Sequence, residues 1–240
     1  MISPAHVRAY AQPIVVAFDM IETVFSLESL RGHLVAAGLP GTALEAWFAQ
    51  TLRDAFALEV TGVYKPFKEV AAGTLESLLV KHGSRGSGDM SAILRGFSEL
   101  EPHPDAGSAF QRLHSAGIRL IGLTNGSAEV TRQLIDRAGF ARYFEQLVSI
   151  EAIGRWKPQS QVYLHAARTA GVAPSRMTLV AAHPWDIHGA SRAGLMTAFV
   201  ARGLPYPSTM DGPNFTGDSL NEISEVLSAL PGGTFETEEF

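Results

Sequence analysis

Several polar side chains stand where a buried apolar run ends or the next helix begins. They are Asp19 and Thr23 after residues 14–18, Thr124 and Asn125 after 118–123, Lys157 ahead of a helical pattern, and His183 and Asp186 after 177–182. Carboxylates, hydroxyls, an amide, an imidazole and an ammonium can together attack, move protons and hold a small polar molecule. Singly, each has a structural use: a strand-end Asp caps helices or forms turns, Thr-Asn-Gly is a common turn, and a lone Lys is solvated. Their order is more informative than any one of them. In an open parallel sheet, ligands bind beyond the carboxyl ends of the strands, in loops held by the scaffold.

The elements that must position these residues are legible as alternation. Ile14-Val15-Val16-Ala17-Phe18 is a continuous β-branched run suited to a strand buried on both faces, and similar runs recur at 118–123, 147–150, 177–182 and 197–200. Helical patterns separate them. Val130, Leu134, Ile135 and Ala138 follow Ser127 as an N-cap and precede Gly139. Val162, Tyr163, Ala166 and Ala170 follow Pro158, which suits a first turn, and precede Gly171; residues 187–193 close at Gly194. Strands alternating with helices predict an α/β fold, a doubly wound, Rossmann-like parallel sheet with helices on both faces. Residues 27–97 break the rhythm: helical patterns at 42–58, 67–82 and 90–97, a Gly/Ser-rich loop at 83–88, and no core strand. This predicts an all-helical cap domain (27–97) inserted into a core made of 1–26 and 98–240, with Pro102 and Pro104 marking the return and the tail after Pro231 frayed.

Composition narrows the partners. Of 240 residues 46% are hydrophobic and 18% charged, enough for a sizeable core. With 19 basic and 24 acidic residues the formal charge is −5, which argues against nucleic acid or an anionic membrane surface as the main partner. There is no cysteine, so disulfides, thiolate metal sites and cysteine nucleophiles are excluded. The first residues do not read as a signal peptide, and no apolar run approaches the roughly 20 residues of a membrane span. The expectation is a soluble, cytoplasmic protein acting on a small molecule. The chain lacks Gly-x-Ser-x-Gly, a Gly-x-Gly-x-x-Gly after the first strand, and a His-x-x-x-His pair.

Taken as a set, Phe18-Asp19-x-x-x-Thr23, Leu123-Thr124-Asn125-Gly126, Trp156-Lys157-Pro158 and Val180-Ala-Ala-His-Pro-Trp-Asp186 resemble the haloacid dehalogenase superfamily over nearly the whole chain. The resemblance implies that Asp19 is a nucleophile forming an aspartyl ester. Thr23, Thr124 and Asn125 would be hydrogen-bonding positioners and Lys157 the ammonium that keeps Asp19 ionised. Asp186 would pair with Lys157 and help orient water. The physics is consistent: a carboxylate attacks well only when ionised, poorly hydrated and aimed, and a nearby ammonium in low dielectric favours that state.

Most of the superfamily are magnesium-dependent phosphatases, with a second Asp two residues after the nucleophile and an acid early in the last motif. Here those positions are Ile21, which cannot move a proton, and Ala182, whose methyl group replaces a carboxylate ligand of magnesium. The expectation is therefore a hydrolase without metal or other cofactor. The pattern is similar to the L-2-haloacid dehalogenase branch, in which the Asp displaces a substituent from the α-carbon of a small carboxylate. Tyr163, Phe67 and Trp185 match that branch, and His183 stands where many members have Asn. The resemblance implies substrate contacts from Met20, Ile21 and Glu22, from Trp47, Phe48 and Phe67 in the cap, and from Tyr163, His183 and Trp185. Relatives often dimerise, so a homodimer is an open possibility.

Two positions depart from the branch. Glu22 replaces a Gly before the motif threonine, and Phe48 replaces an Arg that follows a cap tryptophan and helps hold the leaving halide; Arg53 lies five residues further on. A departing halide is favoured by a cation, whereas a ring nitrogen that starts as an ammonium is favoured by a carboxylate and an aromatic face. A strained cyclic imino acid such as L-azetidine-2-carboxylate meets these needs, opening to 4-amino-2-hydroxybutyrate. Release of halide from an (S)-2-haloacid is the alternative, with a phosphatase or a binding module behind both.

Overall fold

The computed structural model describes residues 10–83 and 90–232. Six strands form one parallel sheet: β1 (Val15–Phe18), β4 (Arg119–Thr124), β5 (Phe144–Ser149), β6 (Met177–Ala181), β7 (Met196–Val200) and β8 (Phe215–Gly217), in the order β5-β4-β1-β6-β7-β8. β1 sits inside, in register with both neighbours: Phe18 lies beside Gly122 of β4 and Val180 of β6. All four of its residues are buried, as its apolar run predicts.

The two-residue period of β1 divides the core. Val16 and Phe18 face a cluster with Phe110 and Leu113 of α5 (Ala106–Ser115), Leu134 of α6 (Ala128–Arg137) and Ile223 and Leu227 of α9 (Leu220–Ala229). Val15 and Ala17 face the opposite cluster, with Val162 and Tyr163 of α7 (Ser160–Thr169) and Ile187 and Ala190 of α8 (Pro184–Arg192). The sheet is thus covered on both faces.

Between β1 and α5 the chain passes through β2 (Phe25–Ser26), then α1 (Ser29–Ala36), α2 (Ala43–Val60), α3 (Phe67–Lys81) and α4 (Met90–Arg95), and returns through β3 (Glu101–Pro102). β2 and β3 pair antiparallel, so the outgoing and returning chain lie side by side, and among the described residues no strand lies between them. This is where we divide cap from core. No helix among the described residues is long and apolar enough to cross a membrane.

Several boundaries differ from those expected. β5 begins at Phe144 rather than 147, because it is an edge strand whose Glu145 points outward to an ion pair with Arg119 at 2.6 Å. The helix expected from Pro158 starts at Ser160, where the side chain of Gln159 takes the capping role. Ser127 does cap α6, accepting from Val130 N, and Gly139, Gly171 and Gly194 adopt positive φ past their helices. The sequence pattern marks no element at β8, the β2–β3 ribbon, α5 or α9, while α1 is a further helix inside the region 27–97 expected to be helical. Residues 84–88 of the expected loop, the N-terminal nine residues and the tail from 233 lie outside the described residues.

Candidate active site

Asp19 follows directly on β1, its backbone N–H continuing the ladder to Val180 O at 3.0 Å. A central strand thereby aims the carboxylate at the carboxyl end of the sheet. Lys157 arrives on the loop between β5 and α7. Its N–H donates to Asn125 Oδ1 at 3.1 Å, and neighbouring Trp156 is buried with its indole N–H on Lys65 O at 3.1 Å. The Lys157 Nζ donates to Asp19 Oδ1 and Asp186 Oδ2, both at 2.7 Å, and to Leu123 O at 3.0 Å. Its three protons are thus all used, in a site where Lys157 and Asp186 are both 0% exposed.

The second oxygen of Asp19 accepts from Thr23 Oγ1 at 2.8 Å and lies 3.0 Å from His183 Nδ1. Thr23 is itself held by Ala182 N, which donates to its oxygen at 2.8 Å. Asp186, in the first turn of α8, accepts from Tyr163 OH at 2.6 Å. Burial opposes ionisation of Asp19, but the Lys157 ammonium and the His183 contact outweigh it and hold its carboxyl well below the usual range. Burial opposes the charge on Lys157 too, and the two carboxylates overcome it, so the ammonium stays protonated. Burial raises Asp186, and it drives Tyr163 well above its ordinary value, with Asp186 adding to the effect.

A cavity of about 20 Å³ lies over Asp19, walled by Ile21, Phe48, Leu52, Phe67, Thr124, Asn125, Gly126, His183 and Trp185. That is the scale of a single water molecule. His183 is flanked by Phe48 (ring centroids 5.7 Å apart) and stacked on Trp185 at 5.1 Å. Wider clefts adjoin on two sides. One, of about 430 Å³, shares the Phe48–Leu52–His183 wall; the other, of about 670 Å³, shares Ile21, Phe67, Thr124 and Gly126.

The structure brings together Asp19, Thr23, Thr124, Asn125, Lys157 and Asp186, with Ile21, Phe48, Phe67, His183 and Trp185 around them. Four expected substrate contacts fall elsewhere. Met20 turns into the core, its sulfur packed where a side chain on Gly122 would stand. Trp47 is buried inside the cap, donating to Ala71 O at 2.9 Å and packing on Phe97. Tyr163 is buried behind Asp186 and positions it without bordering the cavity. Glu22 adopts a left-handed backbone (φ 64°) that aims its carboxylate at Leu27 N, and it lines the 430 Å³ cleft instead. Arg53 is exposed and paired with Asp54, away from the site. Leu52 and Gly126 line the cavity and were missed. Leu52 sits one helical turn after Phe48, a spacing that could have found it.

Magnesium does not fit these residues. The carboxylates it would need, Asp19 and Asp186, both bind one ammonium, and the side chains of Ile21 and Ala182 add no oxygen ligand. Among the described residues no group of three or more His, Cys, Asp or Glu is arranged to hold a metal.

A doubly wound sheet carrying a carboxylate at the end of its first strand, under a helical cap, defines a hydrolase of the haloacid dehalogenase type. A model of the haloacid dehalogenase-like hydrolase family matches residues 12–194, and the chain belongs to that family. The haloacetate dehalogenase H-2 of Moraxella sp. (strain B) is 24% identical over 218 residues, 89% of this chain and 97% of that one. Glyceraldehyde 3-phosphate phosphatase of Methanopyrus kandleri is 32% identical over 139 residues, 56% of this chain and 60% of that one. In three dimensions the chain superposes on an L-2-haloacid dehalogenase of Xanthobacter autotrophicus with TM-score 0.84 at 20% identity, covering 91% and 99% of the two chains.

Proposed function

We propose that this hydrolase displaces a substituent from the α-carbon of a small carboxylate through an ester on Asp19, without a metal, and that the substituent is the ring nitrogen of L-azetidine-2-carboxylate. The observation that carries the first part is the buried Asp19–Lys157–Asp186 array, in which the nucleophile is ionised, dry and fixed. The carboxylate oxygen attacks the α-carbon as the C–N bond breaks and its electron pair leaves with nitrogen. The strained ammonium becomes a primary amine. Water then adds to the ester carbonyl, the Cγ–O bond breaks, and the hydroxy acid departs while the amine takes up the released proton. The product is 4-amino-2-hydroxybutyrate.

The choice of nitrogen is supported by the cavity wall. Its lining residues include the aromatic rings of Phe48, Phe67 and Trp185 and no Arg. Such faces bind an ammonium and do little for a departing halide. Glu22 lines the adjoining cleft that shares the Phe48–Leu52–His183 wall, its carboxylate held by Leu27 N, and from there its negative charge favours a cationic amine over an anion through the local field rather than by contact. Its left-handed backbone costs on the order of 1–2 kcal/mol in a non-glycine residue, which the hydrogen bond from Leu27 N helps to offset. Halide release from an (S)-2-haloacid is the second reading, favoured by the kinship with haloacid dehalogenases.

The test is turnover in EDTA of L-azetidine-2-carboxylate, L-2-chloropropionate and p-nitrophenyl phosphate, followed by a single turnover in heavy-oxygen water. Ring opening, with label entering Asp19 first, is expected, and Asp19→Asn abolishes it. Glu22→Gln keeps the acceptor for Leu27 and removes the charge, so it should lose ring opening while remaining folded. Phosphate cleavage that requires magnesium would overturn the proposal, and ring opening by Glu22→Gln at the full rate would remove the case for nitrogen.

A further inference from the structure

The two oxygens of Asp19 are not equivalent. Among the described residues, Oδ2 receives both Thr23 Oγ1, at 2.8 Å, and His183 Nδ1, at 3.0 Å, while Oδ1 receives only Lys157 Nζ, at 2.7 Å. An ionised carboxylate only accepts hydrogen bonds, and each of its oxygens offers about two lone-pair sites. Two consequences follow. His183 carries its proton on Nδ1 and donates it, and the lone pair still open for attack is on Oδ1. Oδ2 therefore becomes the carbonyl oxygen of the ester, already between two donors.

We infer that His183 and Thr23 form the oxyanion hole for the second half of the reaction, the hydrolysis of the ester on Asp19. This rests on the covalent reading proposed above. When water adds to the ester carbonyl, the π pair moves onto Oδ2, where the imidazole N–H and the hydroxyl meet the charge. The tetrahedral adduct collapses by breaking the Cγ–Oδ1 bond, and Oδ1 leaves as the product hydroxyl. The ring of His183 is held for this by Trp185, stacked at 5.1 Å and 26°, and by Phe48 on the cap. Thr23 is fixed by Ala182 N. A donor to Oδ2 stabilises the free carboxylate and the oxyanion more than it stabilises the transition state of the first attack, which discharges Asp19. Removing it therefore slows hydrolysis and leaves ester formation as fast or faster.

The experiment is rapid-quench intact-protein mass spectrometry of wild type, His183→Ala and His183→Asn with L-azetidine-2-carboxylate. In His183→Ala, ester hydrolysis should slow by about 100-fold or more, the effect of losing one such donor. Turnover should then show a burst, and the protein should accumulate an adduct heavier by one whole substrate molecule, localised to Asp19. His183→Asn keeps an N–H donor and should stay within about tenfold of wild type with little adduct. If His183 instead took the proton from water, Asn would trap ester as fully as Ala; that result overturns the inference. So does a His183→Ala enzyme that turns over slowly with no burst and no adduct. A wild type inert toward the substrate refutes the covalent reading itself and this inference with it. A wild type that works beside variants lacking adduct refutes the inference alone.

Discussion

Replacing Lys157 by Met tests the array at its centre. The side chain is wholly buried and its ammonium lies 2.7 Å from two carboxylates, one of them 0% exposed. Met fills nearly the same volume but leaves Asp19 and Asp186 facing each other in low dielectric. Removing one partner from a buried pair costs about 3–5 kcal/mol. At roughly 2–4 °C per kcal/mol for a domain of this size, the melting temperature should fall by roughly 6–20 °C. The sign of the pH dependence follows from what remains. Without the ammonium, burial and mutual repulsion raise both carboxyls above their unfolded value of about 3.9. An acid whose folded pKa is raised binds protons more readily when folded, so the stability deficit of the variant should shrink as the pH is lowered from about 8 to about 5. In the wild type Asp19 is already depressed and gives no such gain. Urea unfolding at several pH values measures the deficit, and turnover should drop by at least about 100-fold. A deficit below about 1 kcal/mol, the same at every pH, would refute the placement of Lys157 between two ionised groups.

Tyr163→Phe removes the 2.6 Å hydrogen bond to Asp186 and should cost about 1.5–3 kcal/mol in urea unfolding; it should lower kcat more than it raises KM, since the ring does not border the cavity. Gly189→Ala would place a methyl 2.5 Å from Pro158 Cβ and 2.7 Å from Pro158 O and Tyr163 OH. Despite the better helix propensity it should destabilise by about 1–3 kcal/mol, read as a lower urea midpoint. Asp19 has a depressed pKa, so its contribution to stability is present above its unfolded value of about 3.9 and lost as the pH falls through the folded one. Asp19→Asn should flatten that part of the acid unfolding curve.

Interior strands were readable because a strand buried on both faces must be apolar throughout. Val15–Phe18 and Met177–Ala181 meet that condition. The start of β5 was not, because an edge strand keeps polar residues such as Glu145 in solvent. β2 and β3, at two residues each, are too short to leave a pattern and exist only by pairing with each other. α9 carried a usable signal, Ser219 accepting from Glu222 N ahead of buried Leu220, Ile223 and Leu227.

In the site, Asp19, Thr23, Thr124, Asn125, Lys157 and Asp186 were recoverable because residue type and order along alternating strands and helices limit where they can lie. Side-chain direction was not. Trp47 and Phe48 are adjacent in α2, yet one is sealed inside the cap and the other faces His183, since neighbours on a helix point about a quarter-turn apart. Glu22 reads as a charge beside the nucleophile until its left-handed backbone sends the carboxylate to Leu27.

Residue types and their order alone establish the parallel sheet, the helical insertion and the polar groups that gather at the strand ends, because burial and periodicity are properties of local sequence. Only the tertiary structure decides that one ammonium joins two carboxylates, that Oδ2 of Asp19 faces two donors while Oδ1 faces one, and that the cap closes the cavity to the scale of a water molecule. Those facts depend on side chains 29 and 138 residues from Lys157 meeting within hydrogen-bond reach, and no local pattern encodes that distance.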